Sequence, residues 1–344
     1  MPEKLDPNAF LTAAARGPIL DVRSPGEFQR AHIPGAISFP LFTDEERARV
    51  GTIYKQAGKD AAVELGLEFV GPKLAKWVKQ AKKLAIDNTV YVHCWRGGMR
   101  SGSMAWLLET AGIRVKILVG GYKAYRNFVL SKFDENIPLI VLGGKTGSGK
   151  TDILLEMQKR GVQVIDLEGI AHHRGSAFGH LGLEEQPSSE HFENILAGQL
   201  MQMDYSKPIW VEDESRHIGK VFMGAPFYNQ LRDAPVLFLD IDATYRLPHL
   251  VEVYAHYPKE ALARAIDKIK KRLGGDHYKH ALEALDTGDF TQVAAITLHY
   301  YDKAYVHGLE NRAPEKIHRL VVETLEPTIQ ADAVMSHPLF SPSK

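Results

Sequence analysis

Short apolar runs alternate with helical patterns in the first part of the chain. Three of these runs have the length of buried strands: 18–22, 90–92 and 117–119. Turns that contain glycine or proline follow the first and the last run, as is typical of an α/β domain. Thr43 and Glu46 have the spacing of a capping box, which predicts a helix start there and a mostly helical stretch to about Leu84.

A second series of strands begins at Pro138, after the polar link 132–136. Its apolar runs are 139–142, 162–165 and 209–211. The pattern changes at this link, so we place a domain boundary there. We expect an N-terminal α/β domain at 1–134 and a C-terminal α/β domain at 135–344 that ends in a helical region.

The helical region is clearest between Pro258 and Gly274. Four apolar residues fall on one helical face of this segment: Leu262, Ile266, Ile269 and Leu273. Pro258 suits the first helical position, and Gly274 suits the stop. Beyond about Pro314 the pattern predicts no particular element.

The charges of the chain balance, since Lys and Arg together number 42 and Asp and Glu also number 42. Wide nucleic-acid surfaces usually make a protein strongly basic, so any RNA contact should be confined to a local basic face. The single cysteine excludes an internal disulfide framework and fits a reducing compartment. No signal-peptide pattern or membrane-length apolar run occurs, so we expect a cytoplasmic protein with no membrane partner.

That cysteine, Cys94, lies on a glycine-containing loop between a predicted strand and a predicted helix. Backbone N–H groups and the helix dipole favour an anion at such a place. Arg96 and Arg100 add positive charge, which favours a reactive thiolate over a buried structural thiol. Cys94, Arg96 and Arg100 are therefore the candidate catalytic residues.

The segment 144–151 matches the phosphate-loop pattern G-x-x-x-x-G-K-[ST] and follows an apolar strand. The candidate phosphate contacts are Gly144, Gly147, Ser148, Gly149, Lys150 and Thr151. Lys150 can reach a terminal phosphate, and Thr151 can ligate Mg²⁺. The pattern itself leaves open whether the ligand is a nucleoside triphosphate or another diphosphate.

Carboxylates follow the strand at 209–211, where a P-loop protein places the acid that assists a metal. Asp213 is our first candidate for this acid and Glu212 the second, against the alternative of a solvated strand end. Asp166 and Glu168 follow another predicted strand and should lie at the same sheet edge. His172 and His173 have no further Cys or His ligands at zinc spacing, so we predict no zinc site and interpret them as either polar substrate contacts or plain loop residues.

A dense basic group lies on the surface of the helix predicted after Pro258. It consists of Lys268, Lys270, Lys271 and Arg272. Such a run is either a solvated helix face or a contact for RNA phosphates. Tyr300, Tyr301 and Tyr305 could stack bases, although tyrosines at helical spacing more often pack in a core.

Together these motifs resemble a known combination of domains. Asp21–Phe28, His32–Ala36 and the Cys94 loop are similar to a rhodanese domain. With the phosphate loop, Leu167–Gly169 and Glu212–Arg216, nearly the whole chain resembles the family of tRNA 2-selenouridine synthases. The segment Gly51–Gln56 is a further hallmark of that family.

The resemblance implies that wobble-position 2-thiouridine in tRNA exchanges its sulfur for selenium from selenophosphate. It also implies transfer of a geranyl group from geranyl diphosphate to the same sulfur. Cys94 would then handle selenium, and the phosphate loop would hold a diphosphate or another phosphate, at a site where the motif also permits Mg²⁺. A selenophosphate-supplying enzyme would be a natural partner, and no resident cofactor is expected.

Other functions fit parts of the same sequence. Five residues separate Cys94 from Arg100, which is also the phosphatase spacing Cys-x5-Arg and leaves room for a tetrahedral anion. The phosphate loop also fits an ATP-dependent tRNA sulfurtransferase. A nucleotide-switched RNA-binding scaffold would need no reactive thiol.

Overall fold

The computed structural model describes residues 2–340 of the chain. These residues form two compact units. The first contains the chain up to Lys132 together with Glu193–Gly198, and the second contains Phe133–Phe192 and the chain from Gln199 onward. The main break thus falls two residues before the boundary expected from the sequence, and one short helical segment groups with the first unit.

The first unit alternates strands and helices along the chain. Its strands are β1 Glu3–Leu5, β2 Ile19–Asp21, β3 Ile37–Ser38, β4 Thr89–His93 and β5 Arg114–Leu118. Its helices are α1 Pro7–Ala14, α2 Pro25–Arg30, α3 Asp44–Gln56, α4 Lys59–Val70, α5 Leu74–Leu84, α6 Met99–Thr110 and α7 Gly121–Lys132.

The five strands form one parallel sheet in the order β1-β5-β4-β2-β3. Leu20 pairs with Val92 across β2 and β4, so the turns after these strands leave the same edge of the sheet. The central strand β4 is buried along most of its length, as expected for a parallel strand covered on both faces. This arrangement places the turn that contains Cys94 in the middle of the carboxyl edge.

The capping box predicted at the start of α3 is confirmed. The Thr43 hydroxyl accepts a hydrogen bond from the Glu46 N–H at 3.2 Å, and the Glu46 carboxylate accepts one from the Thr43 N–H at 2.9 Å. Helices then continue to Leu84, as the pattern predicted. They pack Phe42 and Trp77 into the same core as Val92.

The second unit has a sheet of five strands and a two-stranded hairpin. Its strands are β6 Leu139–Gly144, β7 Val164–Ile165, β8 Ile209–Glu212, β9 His217–Ile218, β10 Val221–Phe222, β11 Val236–Asp240 and β12 Ile317–Val321. Its helices are α8 Lys150–Lys159, α9 Leu167–Ala171, α10 Ser189–Leu200 (part of which groups with the first unit), α11 Ala225–Asp233, α12 Ala243–Tyr254, α13 Lys259–Leu273, α14 Gly275–Thr287, α15 Phe290–Glu310 and α16 Pro327–Met335.

The sheet order is β12-β11-β6-β8-β7, and all of its pairings are parallel. The carboxyl ends of β6, β7 and β8 therefore lie at one edge, where ligands of open α/β sheets bind. The sequence analysis missed β11 and β12. Strand β12 lies after Pro314, and its partly exposed residues, which include His318 and Arg319, obscure the apolar pattern of a strand.

The amphipathic helix expected after Pro258 is α13. Its predicted apolar face is buried and packs with α14 and α15 in a helical cluster. Pro258 is the residue before the first helical position rather than the first position itself, so that detail of the prediction was wrong. Gly274 ends the helix as expected, with a φ of 82° that favours glycine.

A buried ion pair joins three distant parts of the second unit. Arg312 donates to Asp213 at 2.7 Å, and the two side chains are 1% and 5% exposed. The same guanidinium donates to the carbonyl groups of Leu231, Arg232 and Ala234 at the C-terminal end of α11. The pair therefore holds the end of β8, the end of α11 and the segment after α15 together.

Asp213→Ala should strongly destabilise the protein, because it leaves the buried Arg312 charge with backbone carbonyls but no carboxylate to balance it. We expect the free energy of unfolding to fall by about 3–5 kcal/mol, measured by chemical denaturation. The matched control is Asp233→Ala, which removes an exposed carboxylate paired with Lys316 and should cost about 0–1 kcal/mol. Equal losses in the two variants would contradict a structural role for the Asp213–Arg312 pair.

Candidate functional site

The Cys94 loop (residues 94–98) connects β4 to α6 in the first unit. Its carbonyl groups bind the start of α7: the Tyr122 N–H donates to Cys94 at 2.8 Å, and the Lys123 N–H donates to Trp95 at 3.0 Å. Gly121 allows this close approach, since a Cβ there would lie 2.3 Å from the Cys94 carbonyl oxygen. The loop is thus held in place by backbone contacts.

The Cys94 side chain is buried, and its Sγ lies 3.2 Å from the Ser101 hydroxyl. Arg100 donates to Glu27 at 2.7 Å, so a carboxylate balances part of the positive charge expected beside the thiol. Arg96 is exposed. The roles of Cys94, Arg96 and Arg100 as catalytic residues stay predictions, and the pairing with Glu27 was not anticipated from the sequence.

A buried ion pair between Arg23 and Asp21 lies close to the Cys94 loop. Arg23 donates to Asp21 at 2.6 Å, and its guanidinium lies 3.8 Å from the centre of the Tyr122 ring. His93, directly before Cys94, is completely buried, and this burial lowers its pKa to about 4 although the nearby Asp21 opposes the change. His93 is therefore neutral at pH 7 and adds no charge beneath the thiol.

The phosphate loop (residues 144–151) connects β6 to α8 in the second unit. This strand–loop–helix arrangement is the context that the motif requires. Gly149 has a φ of 74° at the residue before α8, a conformation that favours glycine. Ser148 is buried, whereas Gly147, Lys150 and Thr151 are partly accessible.

Two polar side chains of this loop face the carboxyl edge of the sheet. Lys150 donates to the Gly144 carbonyl at 3.0 Å, and the Thr151 hydroxyl donates to Glu168 at 3.0 Å. Glu168 forms a further hydrogen bond with Glu214. These residues bring an ammonium group, a hydroxyl and two carboxyl groups to one place.

The electrostatics of the two carboxyl groups follow from their burial. Burial raises the pKa of Glu168, although the Lys150 charge opposes it. Burial and the Glu168 charge raise the pKa of Glu214 well above its usual range. Glu168 and Glu214 therefore hold a proton more readily than exposed carboxylates do. A bound cation would stabilise their charged forms instead.

The two candidate acids from the sequence, Asp213 and Glu212, accept hydrogen bonds from residues outside the phosphate loop. Asp213 borders the same cavity, but its oxygens accept hydrogen bonds from Arg312 and Tyr305. Glu212 is fully buried and accepts from the Leu167 N–H at 2.8 Å. Their roles as metal-assisting acids stay predictions, while the carboxylate that contacts Thr151 is Glu168, a residue that the sequence placed only at the sheet edge.

A cavity of about 990 Å³ opens in front of the phosphate loop. Its polar lining includes Lys150, Glu168 and Arg174, and its apolar lining includes Leu250 and Val253. The cavity thus combines an anion-binding end with an apolar wall. Neither side chain of that wall, on α12, belongs to a sequence motif.

The loop after α9 carries the histidines singled out in the sequence. His172 lines the cavity, and its Nδ1 lies 3.0 Å from the Glu185 carbonyl oxygen. His173 is buried, and this burial, with smaller effects of His180 and Lys268, lowers its pKa to about 4. These surroundings do not mark either histidine as a metal ligand.

The basic face of α13 is exposed as predicted. Its members Lys268, Lys270, Lys271 and Arg272 all point away from the buried apolar side of the helix. Arg272 lies 3.3 Å from the hydroxyl of Tyr300, which lines the phosphate-loop cavity. Lys268 is near His173 and His180. The basic face therefore reaches the rim of the cavity.

All three candidate stacking tyrosines have partners within the second unit, since Tyr300 contacts Arg272 and the Tyr301 ring. The Tyr305 hydroxyl donates to Asp213 and accepts from the Gly144 N–H, both at 2.9 Å. The Tyr301 hydroxyl accepts from the Ala177 N–H at 2.8 Å. These contacts favour packing around the cavity over base stacking.

The sequence analysis also missed Arg246, which is buried on α12. Arg246 donates to the Thr146 carbonyl of the phosphate loop at 3.0 Å and to Asp302 at 2.7 Å. An isolated arginine in an ordinary helix carries no sequence signal for such a role.

Comparison with known proteins assigns both units. A profile of the tRNA 2-selenouridine synthase AAA domain matches residues 137–333, and a rhodanese-like domain profile matches residues 6–128. A tRNA 2-selenouridine synthase of Nitrosomonas europaea is 34% identical over 351 aligned positions, which cover 86% of this chain and 90% of that protein. One of Shewanella pealeana is 36% identical over 336 positions, which cover 86% and 90%.

Among solved structures, the N-terminal domain of a Clostridium difficile protein titled as ATP/GTP binding is 42% identical to this chain. The match covers 38% of this chain and 99% of that domain, with a TM-score of 0.34. The family assignment therefore depends on the sequence matches, which span both units. By these matches, the chain belongs to the tRNA 2-selenouridine synthase family.

Proposed function

We propose that this protein replaces sulfur by selenium in 2-thiouridine at the wobble position of tRNA. Selenophosphate supplies the selenium, and the reaction proceeds through S-geranylation with geranyl diphosphate. Membership of the family supports the overall reaction. The observation that carries the proposal is a complete phosphate loop beside an apolar wall, in a chain that also presents its only cysteine on a rhodanese-type loop.

The shape and lining of the cavity favour a prenyl diphosphate over a simple phosphate. A diphosphate occupies only the end formed by the phosphate loop, whereas the volume of about 990 Å³ extends along Leu250 and Val253. A small apolar pocket of about 50 Å³ adjoins the same wall between Phe178, Leu250 and Phe290. An apolar chain attached to the diphosphate would bury its surface against these side chains.

Geranylation needs stabilisation of a leaving diphosphate. The 2-thiouridine sulfur attacks C1 of the geranyl group, the C1–O bond breaks with its electron pair going to the diphosphate, and the base releases its N3 proton to solvent. Lys150 and the backbone N–H groups of the phosphate loop stabilise that negative charge. Mg²⁺ would be held by Thr151 and Glu168, where it would add positive charge next to the diphosphate.

Selenation then uses the better leaving group that alkylation creates. The selenium of selenophosphate forms a bond to C2 of the base, and the C2–S bond breaks to release geranyl thiol, which takes up a proton. Water then cleaves the P–Se bond and releases phosphate, so selenium stays at the selenide level throughout. We assign the handling of selenium to Cys94, which holds the selenophosphate near C2, with Arg96 and Arg100 as the neighbouring cations. This step needs no second thiol, which agrees with the single cysteine of the chain.

The proposed tRNA contact is the basic face of α13. Its four cations are exposed, and one of them, Arg272, lies near Tyr300 in the cavity lining. Because the chain as a whole has zero net charge, tRNA phosphates would be attracted to a local group of cations such as this basic face. An enzyme that makes selenophosphate is the expected partner.

We place the protein in the cytoplasm, where tRNA and a reduced thiol would both be available. Over residues 2–340, no helix has the length and apolar character needed to span a membrane.

Cys94→Ser should abolish selenation while geranylation continues, because the serine hydroxyl is a poor chalcogen carrier and geranylation needs no thiol. Nucleoside mass spectrometry of reacted tRNA would measure 2-selenouridine and S-geranyl-2-thiouridine separately. Ser101→Ala is a useful control, since it removes the neighbouring hydroxyl and keeps the thiol. Selenouridine formed at the normal rate by Cys94→Ser would remove Cys94 from the reaction.

Lys150→Ala should weaken geranyl diphosphate binding at least roughly tenfold, because a charge-assisted hydrogen bond contributes about 1.5–3 kcal/mol. Isothermal titration with geranyl diphosphate would measure the change. Lys159→Ala removes an exposed lysine at the other end of α8 and should bind normally. Unchanged geranyl diphosphate affinity together with lost ATP binding would identify a nucleotide as the ligand of the loop.

Neutralising Lys268, Lys270, Lys271 and Arg272 together should weaken tRNA binding and flatten its salt dependence. Each lost phosphate contact should reduce the slope of log K against log salt by about 0.7–0.9. Filter binding over a salt series would measure both quantities, with Lys279→Gln as the control for an exposed lysine on α14. Affinity and slope equal to those of the unmodified protein would show that this helix face is only solvated.

A further inference from the structure

An exposed apolar surface begins at the Cys94 loop and continues along α6. We call it the tryptophan surface; it comprises Trp95, Met99 and Trp106, which are 37%, 54% and 65% exposed. The other two tryptophans of the chain, Trp77 and Trp210, are buried in the cores. Packing therefore does not account for the position of Trp106 and accounts only in part for that of Trp95, and a group of exposed apolar side chains often marks a binding site.

Helix geometry places two members of this surface, Met99 and Trp106, on one side of α6, while Trp95 lies in the loop before the helix. Met99 and Trp106 are seven residues apart and therefore lie on the same face, about two turns from each other. Gly102 and Ser103 lie between them and are exposed. A Cβ at Gly102 would meet no atom within 4 Å, so the space between Met99 and Trp106 is open.

The Trp95 ring is held on its inner side and free on its outer side. Its centre lies 5.7 Å from the centre of the buried Tyr122 ring and 6.0 Å from the Arg23 guanidinium. Its carbonyl accepts a hydrogen bond from the Lys123 N–H. A ring supported in this way loses little conformational entropy when another planar group stacks on it.

The charge around the surface suits a nucleic acid. No acidic residue occurs between Cys94 and Leu108, and Glu109, three residues after Trp106, is the one carboxylate of α6. Arg96 and Lys123 are exposed beside Trp95, and Arg100 is partly exposed although paired with Glu27. Aromatic side chains next to cations are the usual combination for unpaired bases and their phosphates.

We propose that the tryptophan surface stacks the unpaired anticodon bases that adjoin the target uridine, and so positions that uridine at Cys94. This inference rests on the proposed function and adds the residues that hold the RNA. Trp95 and Trp106 are positioning residues, because they act on neighbouring bases and not on the reacting atoms. Arg96 and Lys123 contact the adjacent phosphates.

The test uses the full-length protein and an anticodon stem-loop with 2-thiouridine at the wobble position. Trp106→Ala should weaken binding roughly 5- to 140-fold, because stacking of one base contributes about 1–3 kcal/mol. Trp106→Phe should retain most of the affinity, since phenylalanine also stacks. Leu67→Ala is the matched control, because Leu67 is 63% exposed on α4, outside this surface.

Tryptophan fluorescence gives a second readout that a purely structural effect would not produce. Stacked bases should quench Trp95 and Trp106, so Trp106→Phe should lower the amplitude of quenching while binding persists. Melting temperatures of all variants should stay close to that of the parent protein, since these side chains are exposed.

The outcomes separate this inference from the proposed function. If the parent protein converts 2-thiouridine but Trp106→Ala binds and reacts with the stem-loop normally, the tryptophan surface is not an RNA site. Formation of 2-selenouridine by Trp106→Ala can also be compared between two selenium sources, free selenophosphate and a selenophosphate-making enzyme. If it is normal with free selenophosphate and lost with the enzyme, the surface binds a protein and the inference is overturned. A parent protein that binds the stem-loop but converts no 2-thiouridine would instead refute the proposed function.

Discussion

Parallel strand pairing is the constraint on which both reactive loops depend. In each unit every strand of the main sheet runs in the same direction, so the turns after the central strands lie at the carboxyl edge of that unit's own sheet. The Cys94 loop follows β4 at the carboxyl edge of the first sheet, and the phosphate loop follows β6 at the carboxyl edge of the second. A helix begins directly after each loop, so its free N–H groups and dipole favour anions at both places.

Buried arginines hold these edges in a defined conformation. Arg23 with Asp21 lies beneath the Cys94 loop, and Arg246 with Asp302 holds the phosphate loop through the Thr146 carbonyl. A buried guanidinium is costly without partners, so each of these arginines is fixed by several hydrogen bonds at once. Such groups keep the loops preorganised for charged ligands instead of reorganising when they bind.

The phosphate-loop cavity has a charged end, which a nucleotide or a diphosphate would need, and an apolar wall, which a prenyl chain would need. Its charged end contains Lys150 together with the Glu168–Glu214 pair, whose burial favours a bound proton or a cation. An apolar wall adjoins this end, because α12 contributes Leu250, which packs against Gly147 of the loop, and Val253. A ligand with a diphosphate and an apolar chain satisfies both the charged end and the apolar wall, which is why the proposed chemistry places geranyl diphosphate there.

The sequence alone determined the features that depend on neighbouring residues: the capping box of α3, the Cys94 loop and the phosphate loop. Their chemistry depends on local spacing, so no knowledge of the fold was needed. Tertiary structure alone decided that Asp213 is held by Arg312, 99 residues away, and that Arg100 is paired with Glu27, 73 residues away. It also decided that Glu168 contacts Thr151 and that β12 completes the sheet. These contacts join distant segments through strand order and packing, which no local pattern encodes.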